Sequence, residues 1–182
     1  MTIVLMDHNS YPKSFTLETL GSKILVAANS PVGQDEFSDE FRGYIHRMYD
    51  AMLRLDGIGL AAPQVGISKR IFIIHRNYAV DGHWFFANPT ITYRSSELCS
   101  YTEGCLSLPG LQLSIDRPSS ISVDAQDMFG AQFSISNVSG FHARVIQHEN
   151  DHLDGVLMPD RLDNVSRMMI SNKLKLIRRA RK

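Results

Sequence analysis

The pentapeptide His148-Glu149-Asn150-Asp151-His152 constrains this chain more than any other feature, because its two histidines can act together only if the segment is helical. In an α-helix, residues i and i+4 lie one turn apart on one face, so both imidazoles can reach one cation. Glu149 then sits beside that cation, where it can take a proton from activated water and pass it to a leaving amine. Taken alone, the HExxH pattern fits either a metal site or a solvated helix face. Ser139 is placed to cap such a helix and Gly155 to end it, and Phe141, Val145, His148 and His152 share one stripe.

A catalytic site of this kind needs three protein ligands and one open position for water. A downstream glutamate, the thermolysin solution, is unavailable because no glutamate follows Glu149. The metzincin extension HExxHxxGxxH holds as far as Gly155 and then has Met158 in place of the third histidine, and a thioether substitutes poorly. The ligand must come from upstream, where Cys105 in Glu103-Gly104-Cys105-Leu106-Ser107 is the best soft donor. The competing reading makes Cys105 a buried core thiol, and Cys99 is expected to be one or to lie on a strand.

The rest of the chain reads as α+β. Phe37, Phe41, Tyr44, Ile45, Met48, Met52 and Leu55 recur at helical spacing and predict an amphipathic helix that stops at Gly57. The small-residue run 57–64 follows and should be extended or looped, since Pro63 breaks a helix. Short β-prone stretches at 71–74, 84–87, 90–93, 121–124 and 132–135 are separated by Asp81-Gly82, Asn88-Pro89 and Phe129-Gly130, which predicts antiparallel strands. Residues 29–38 should form a loop, and 164–179 a closing helix. No repeat or linker divides the 182 residues, so one domain over 1–182 is expected.

Lysine plus arginine and aspartate plus glutamate each total 19, which gives no reason to expect a sequence-specific nucleic-acid binder. No apolar run approaches the ~20 residues that cross a bilayer. The apolar start 3–6 is cut short by Asp7 and His8, too short for a secretion signal, and two cysteines make no disulfide framework, so a cytoplasmic home is expected.

Three segments in order, Gly57 to Gly66, Glu103 to Pro109 and Gln147 to Gly155, together resemble the GxGLAAxQ, EGCLS and QHExDH signatures of the peptide deformylase family. The resemblance runs from about Ile24 to Arg161. It implies mixed, mainly antiparallel sheets packed around a central metal-binding helix, with an N-terminal amphipathic helix and a C-terminal helix. It implies a metal-dependent hydrolase that removes the formyl group from the N-terminal methionine of nascent peptides. Cys105, His148 and His152 would hold Fe(2+), with Zn(2+), Ni(2+) or Co(2+) able to replace it, and Glu149 would be general acid and base. The Gln64 side-chain amide and the Leu106 backbone N–H would face the charge growing on the formyl oxygen. Gly59 would pair with the substrate backbone beside Glu103 and Gly104, and Ile58, Tyr101, Phe141, Arg144 and Val145 would wall the methionine pocket. Tyr101 and Arg144 stand where some deformylases have aliphatic residues, and Arg117 stands where the family often pairs an arginine with the glutamate of EGC.

Competing readings stay beside these. The 57–62 run also fits the GxGxxA dinucleotide fingerprint, but it follows a helix and Pro63 blocks the helix that fingerprint needs. Phe141 and Val145 fit a packed core as well as a pocket wall, and Gln64 fits a surface amide. An HExxH endopeptidase or a catalytically silent peptide-binding homologue are the rival functions. The tail 173–182 carries six basic residues and no acidic one. It is either a solvated helix end or, as the family resemblance implies, a contact to ribosomal RNA phosphates.

Overall fold

Helix α1 (Asp39–Arg54) follows its apolar spacing: Phe41, Tyr44, Ile45, Met48, Ala51 and Met52 are buried while Glu40, Arg47 and Arg54 fall between them. It begins two residues later than the periodicity suggests, because Ser38 is the cap and its Oγ accepts from the Phe41 N–H at 3.2 Å. Phe37 stays outside the helix and packs edge-on against Phe41. In this computed structural model residues 2–4 and 14–180 are described; the expectation for the start beyond Val4, with Asp7 and His8, and the last two basic residues, Arg181 and Lys182, lie outside them.

β1 (Thr2–Val4) and β2 (Ser14–Thr16) pair antiparallel. The main sheet contains β3 (Gly59–Ala61), β4 (Ile71–Ile74), β5 (Phe85–Arg94), β8 (Ser120–Gln126) and β9 (Gln132–Ser139) in the order β3-β4-β5-β8-β9, antiparallel throughout. A separate hairpin joins β6 (Leu98–Gly104) to β7 (Gln112–Pro118). Two departures from the sequence reading concern strands. The stretches 84–87 and 90–93 are one strand, since Asn88 adopts φ 50° and absorbs the Asn-Pro pair in a bulge between Ala87 and Thr90. The β6–β7 hairpin was not expected: only Glu103 on β6 is buried, so that strand carries no apolar alternation, although Leu113, Ile115 and Arg117 on β7 alternate inward.

β4 explains the layering. All four of its residues are buried because Ile71 and Ile73 face α1 while Phe72 and Ile74 face helix α2 (Gly140–Leu153), giving a helix on each side of the sheet. Each such side chain contributes about 1.5–3 kcal/mol of burial. Ser139 occupies the cap position of α2, yet its side chain accepts no bond, because β9 runs straight into the helix. Gly155 ends α2 with φ 71°, where an added Cβ would lie 3.1 Å from the Val26 carbonyl. A third core, with Leu25, Leu108, Ile115, Leu157 and Met158, underlies the hairpin. The expected closing helix is two: α3 (Asn164–Met169), capped by Asp163, and α4 (Ser171–Ala180). The turn at Ile170 lets Ile170, Leu174 and Ile177 pack on that third core.

Candidate metal centre and active site

Helix α2 presents His148 and His152 one turn apart, ring centroids 5.2 Å apart, and Cys105 reaches them from the end of β6. The three donor atoms lie within 4.8 Å of one another. The Cys105 Sγ is 3.3 Å from His152 Nε2. Tetrahedral sulfur and nitrogen ligands at about 2.3 and 2.1 Å from one cation are themselves roughly 3.5 Å apart, so this spacing fits coordination. Two imidazoles and a thiolate match a first-row divalent ion. The helix-face alternative does not describe His152, which is 2% exposed, and Cys105 and His148 line a cavity of about 570 Å³.

A carboxylate fixes the histidine. Glu103 Oε2 stands 2.9 Å from His148 Nδ1, leaving Nε2 for the donor cluster. The same carboxylate receives Arg117 Nε at 2.7 Å, Arg117 Nη2 at 3.0 Å and Arg144 Nη1 at 2.9 Å. Burial alone would raise the Glu103 pKa, but bonds from His148 and Arg117 outweigh it and hold the carboxyl well below the usual range. Arg117 also donates through Nη1 to Asp151 at 2.7 Å, and Arg161 Nε reaches Asp151 at 3.0 Å. Burial disfavours a charged His148, yet contacts to Cys105 and Glu103 hold its pKa well above the ordinary value, while burial pushes His152 down. The two histidines are thus pushed in opposite directions, the charged form being favoured at His148 and the neutral form at His152. Burial raises the Glu149 carboxyl to about 7, against the opposing pull of His148. Its Oε2 is buried without a partner among the described residues.

Gly59 and Gln64 line the same cavity. β3 is an edge strand, and a Cβ on Gly59 would come within 2.3 Å of Glu149 Oε1, so only glycine leaves the carboxylate room. Gln64 is 2% exposed; its Oε1 accepts from the Ala61 N–H at 2.8 Å, which turns Nε2 toward Ser107 Oγ at 3.2 Å and Cys105 Sγ at 3.6 Å. Gln64 is therefore not a surface amide. The Leu106 N–H has no acceptor among the described residues. Ile58, Tyr101, Phe141, Arg144 and Val145 all line the cavity, with Glu103 and Gly104. Arg144 is 5% exposed, and besides Glu103 its guanidinium donates to the Ile115 and Cys99 carbonyls at 2.7 and 2.6 Å, so it ties α2 to the hairpin. Cys99 is exposed on β6 rather than buried in a core. Ser107 and the Asp151–Arg161 pair escaped the sequence reading; Asp151 within HExxH and Ser107 beside Leu106 were the available signals.

A profile for the polypeptide deformylase family matches residues 15–168. The chain belongs to that family. Peptide deformylases from Fusobacterium nucleatum and Treponema pallidum are 34% identical over 171 residues and 41% identical over 151, covering 92% and 83% of this chain and 95% and 90% of theirs. A solved Plasmodium falciparum peptide deformylase superposes with a TM-score of 0.82 at 34% identity, covering 90% of this chain and 95% of its own. The family match, residues 15–168, extends further toward both ends than the resemblance from about Ile24 to Arg161 carried by the motifs. Membership makes this an enzyme of the deformylase type, with an α+β fold of mainly antiparallel strands.

Proposed function

We propose that this chain hydrolyses the N-formyl group from the N-terminal methionine of newly made proteins and releases formate. The observation that carries the reading is the clustering of the Cys105, His148 and His152 donor atoms within 4.8 Å of one another, beside a large cavity that Cys105, His148 and Glu149 line. The donor set fits one divalent cation per chain, and Fe(2+) is the ion we assign, with Zn(2+), Ni(2+) and Co(2+) acceptable to the same ligands. When bound, the cation supplies Lewis acidity, which acidifies water and polarises a carbonyl.

The residues around it divide the remaining work. Glu149, with its carboxyl near 7, takes a proton from the attacking water and delivers it to the departing methionine nitrogen. Gln64 Nε2 and the Leu106 N–H stabilise the negative charge that grows on the formyl oxygen, each worth roughly 2.7–4 kcal/mol. Gly59 and Gly104 offer backbone groups to the extended substrate, with Glu103 holding His148 in its tautomer. Ile58, Tyr101, Phe141 and Val145 form the methionine pocket, and Arg144 pins its floor.

One domain over 1–182 carries this chemistry in the cytoplasm, and the basic α4, whose Lys173, Lys175, Arg178 and Arg179 are exposed, touches ribosomal RNA. Among the described residues no helix is long and apolar enough to cross a membrane. The deciding experiment incubates anaerobically prepared protein with a formyl-methionyl tripeptide and measures formate and bound metal together. Formate in proportion to bound metal is expected. A fully loaded protein that cuts unblocked protein and releases no formate overturns the reading.

A further inference from the structure

The most exposed large apolar side chains among the described residues all lie on α3 and α4: Val165 at 66%, Met168 at 71%, Met169 at 82% and Leu176 at 64%. Val165, Met168 and Met169 stand at positions i, i+3 and i+4, which puts them on one helix face. They are not strays from the interior, because Leu162, Ile170, Leu174 and Ile177 already supply the side of this segment that packs on the third core. The segment therefore carries two sets of apolar residues, one packed and one left in water. An uncovered apolar set of this kind marks a surface that meets something.

Charge narrows what it meets. Residues 164–180 hold five basic side chains and no acidic one. Arg167 pairs with Asp160 at 2.8 Å, but among the described residues Lys173, Lys175, Arg178 and Arg179 are exposed and have no ion-pair partner. Lys173 and Arg179 stand three residues to either side of Leu176, so cations flank the exposed leucine on its own face. RNA phosphates would occupy the cations and leave four apolar side chains in water. A second copy laid face to face would cover the apolar residues but set cation against cation. An anionic bilayer surface answers both, with acidic headgroups for lysine and arginine and acyl chains within reach of methionine and leucine.

We propose that α3 and α4 form a peripheral, reversible docking surface for anionic phospholipid membranes, in which Val165, Met168, Met169 and Leu176 enter the boundary between headgroups and acyl chains while Lys173, Lys175 and Arg179 meet the headgroups. This goes beyond the deformylase reading and does not depend on it. Lipid and ribosomal RNA draw on the same cations; the apolar set belongs to the lipid contact alone.

The test is co-sedimentation of the full-length, metal-loaded chain at low salt with vesicles of phosphatidylglycerol and phosphatidylcholine in equal parts, against vesicles of phosphatidylcholine alone. The chain should pellet with the anionic vesicles and stay in solution with the neutral ones. Met168→Gln with Met169→Gln keeps helix propensity and removes the apolar contact, and should weaken the partition about tenfold, the order expected for two partly buried side chains. Lys173→Gln, Lys175→Gln and Arg179→Gln together should weaken it roughly 100-fold, at about fivefold per cation near an anionic surface. Both variants should keep the native circular dichroism spectrum, since every altered side chain is exposed. A native chain that stays in solution with anionic vesicles overturns the proposal. Pelleting that the methionine pair leaves unchanged overturns it too, because the contact is then one of charge alone. Dimers in size-exclusion chromatography that become monomers in the methionine variant overturn it in favour of a second copy.

Discussion

Glycine at position 59 is a requirement of space. The ideal Cβ site lies 2.3 Å from Glu149 Oε1 and 2.7 Å from its Cδ, so Gly59→Ala must displace the carboxylate that is proposed to move the proton. A displacement near 1 Å can cost about 10²-fold in rate. We therefore expect kcat for formate release to fall by that order while the circular dichroism spectrum and bound metal are retained; undiminished kcat would show that Glu149 has no positional role. Glu149→Gln keeps the shape and removes the proton-transfer group. Its expected loss is roughly 10²- to 10⁴-fold in kcat with metal content unchanged, and full turnover would sink the assignment.

Between elements, the site depends on one buried guanidinium. Arg117 is 3% exposed and bridges Glu103 on β6 to Asp151 on α2, so it holds the hairpin that carries Cys105 against the helix that carries the histidines. Arg117→Leu strands both carboxylates in part, leaving Glu103 with Arg144 and His148 and Asp151 with Arg161. Removing one member of a buried charged set costs about 3–5 kcal/mol, and disturbing the group behind a ligating histidine weakens metal affinity about 10- to 100-fold. A lowered urea midpoint together with metal lost on dialysis is expected; a variant that keeps both refutes the bridge. On the other side of the sheet, α1 contributes no residue to the cavity lining. Met48 is fully buried there, and Met48→Ala should lower stability by about 2–5 kcal/mol with kcat per folded molecule intact. A fall in kcat in the loaded, folded fraction would mean that α1 shapes the site.

For the whole molecule, charge is balanced in sum and uneven in place: 19 basic against 19 acidic residues overall, yet α4 exposes Lys173, Lys175, Arg178 and Arg179 with no acidic residue in the helix. Deleting the tail would also remove Leu174 and Ile177 from the third core, so charge replacement is the cleaner probe. Lys173→Gln, Lys175→Gln and Arg179→Gln together should abolish co-sedimentation with ribosomes at low salt while formate release from a short peptide continues; unchanged co-sedimentation removes the ribosome contact. The local pattern was sufficient for what depends on neighbours in the chain. Helical spacing from Phe41 to Met52, the one-turn separation of His148 and His152, the glycine at 155 and the order of three motifs are all properties of short segments. Strand β6 was not legible, because a strand whose one buried residue is a glutamate carries no apolar period, and the break at Ile170 follows from a core that the helix sequence does not contain. The contact of Gln64 with Ser107, the convergence of Arg117 and Arg144 on Glu103, and the clearance between Gly59 and Glu149 arise between residues at least 14 positions apart. Such distances exist only once the sheet, the hairpin and α2 have packed, and so tertiary structure alone decided how the residues named by the motifs meet.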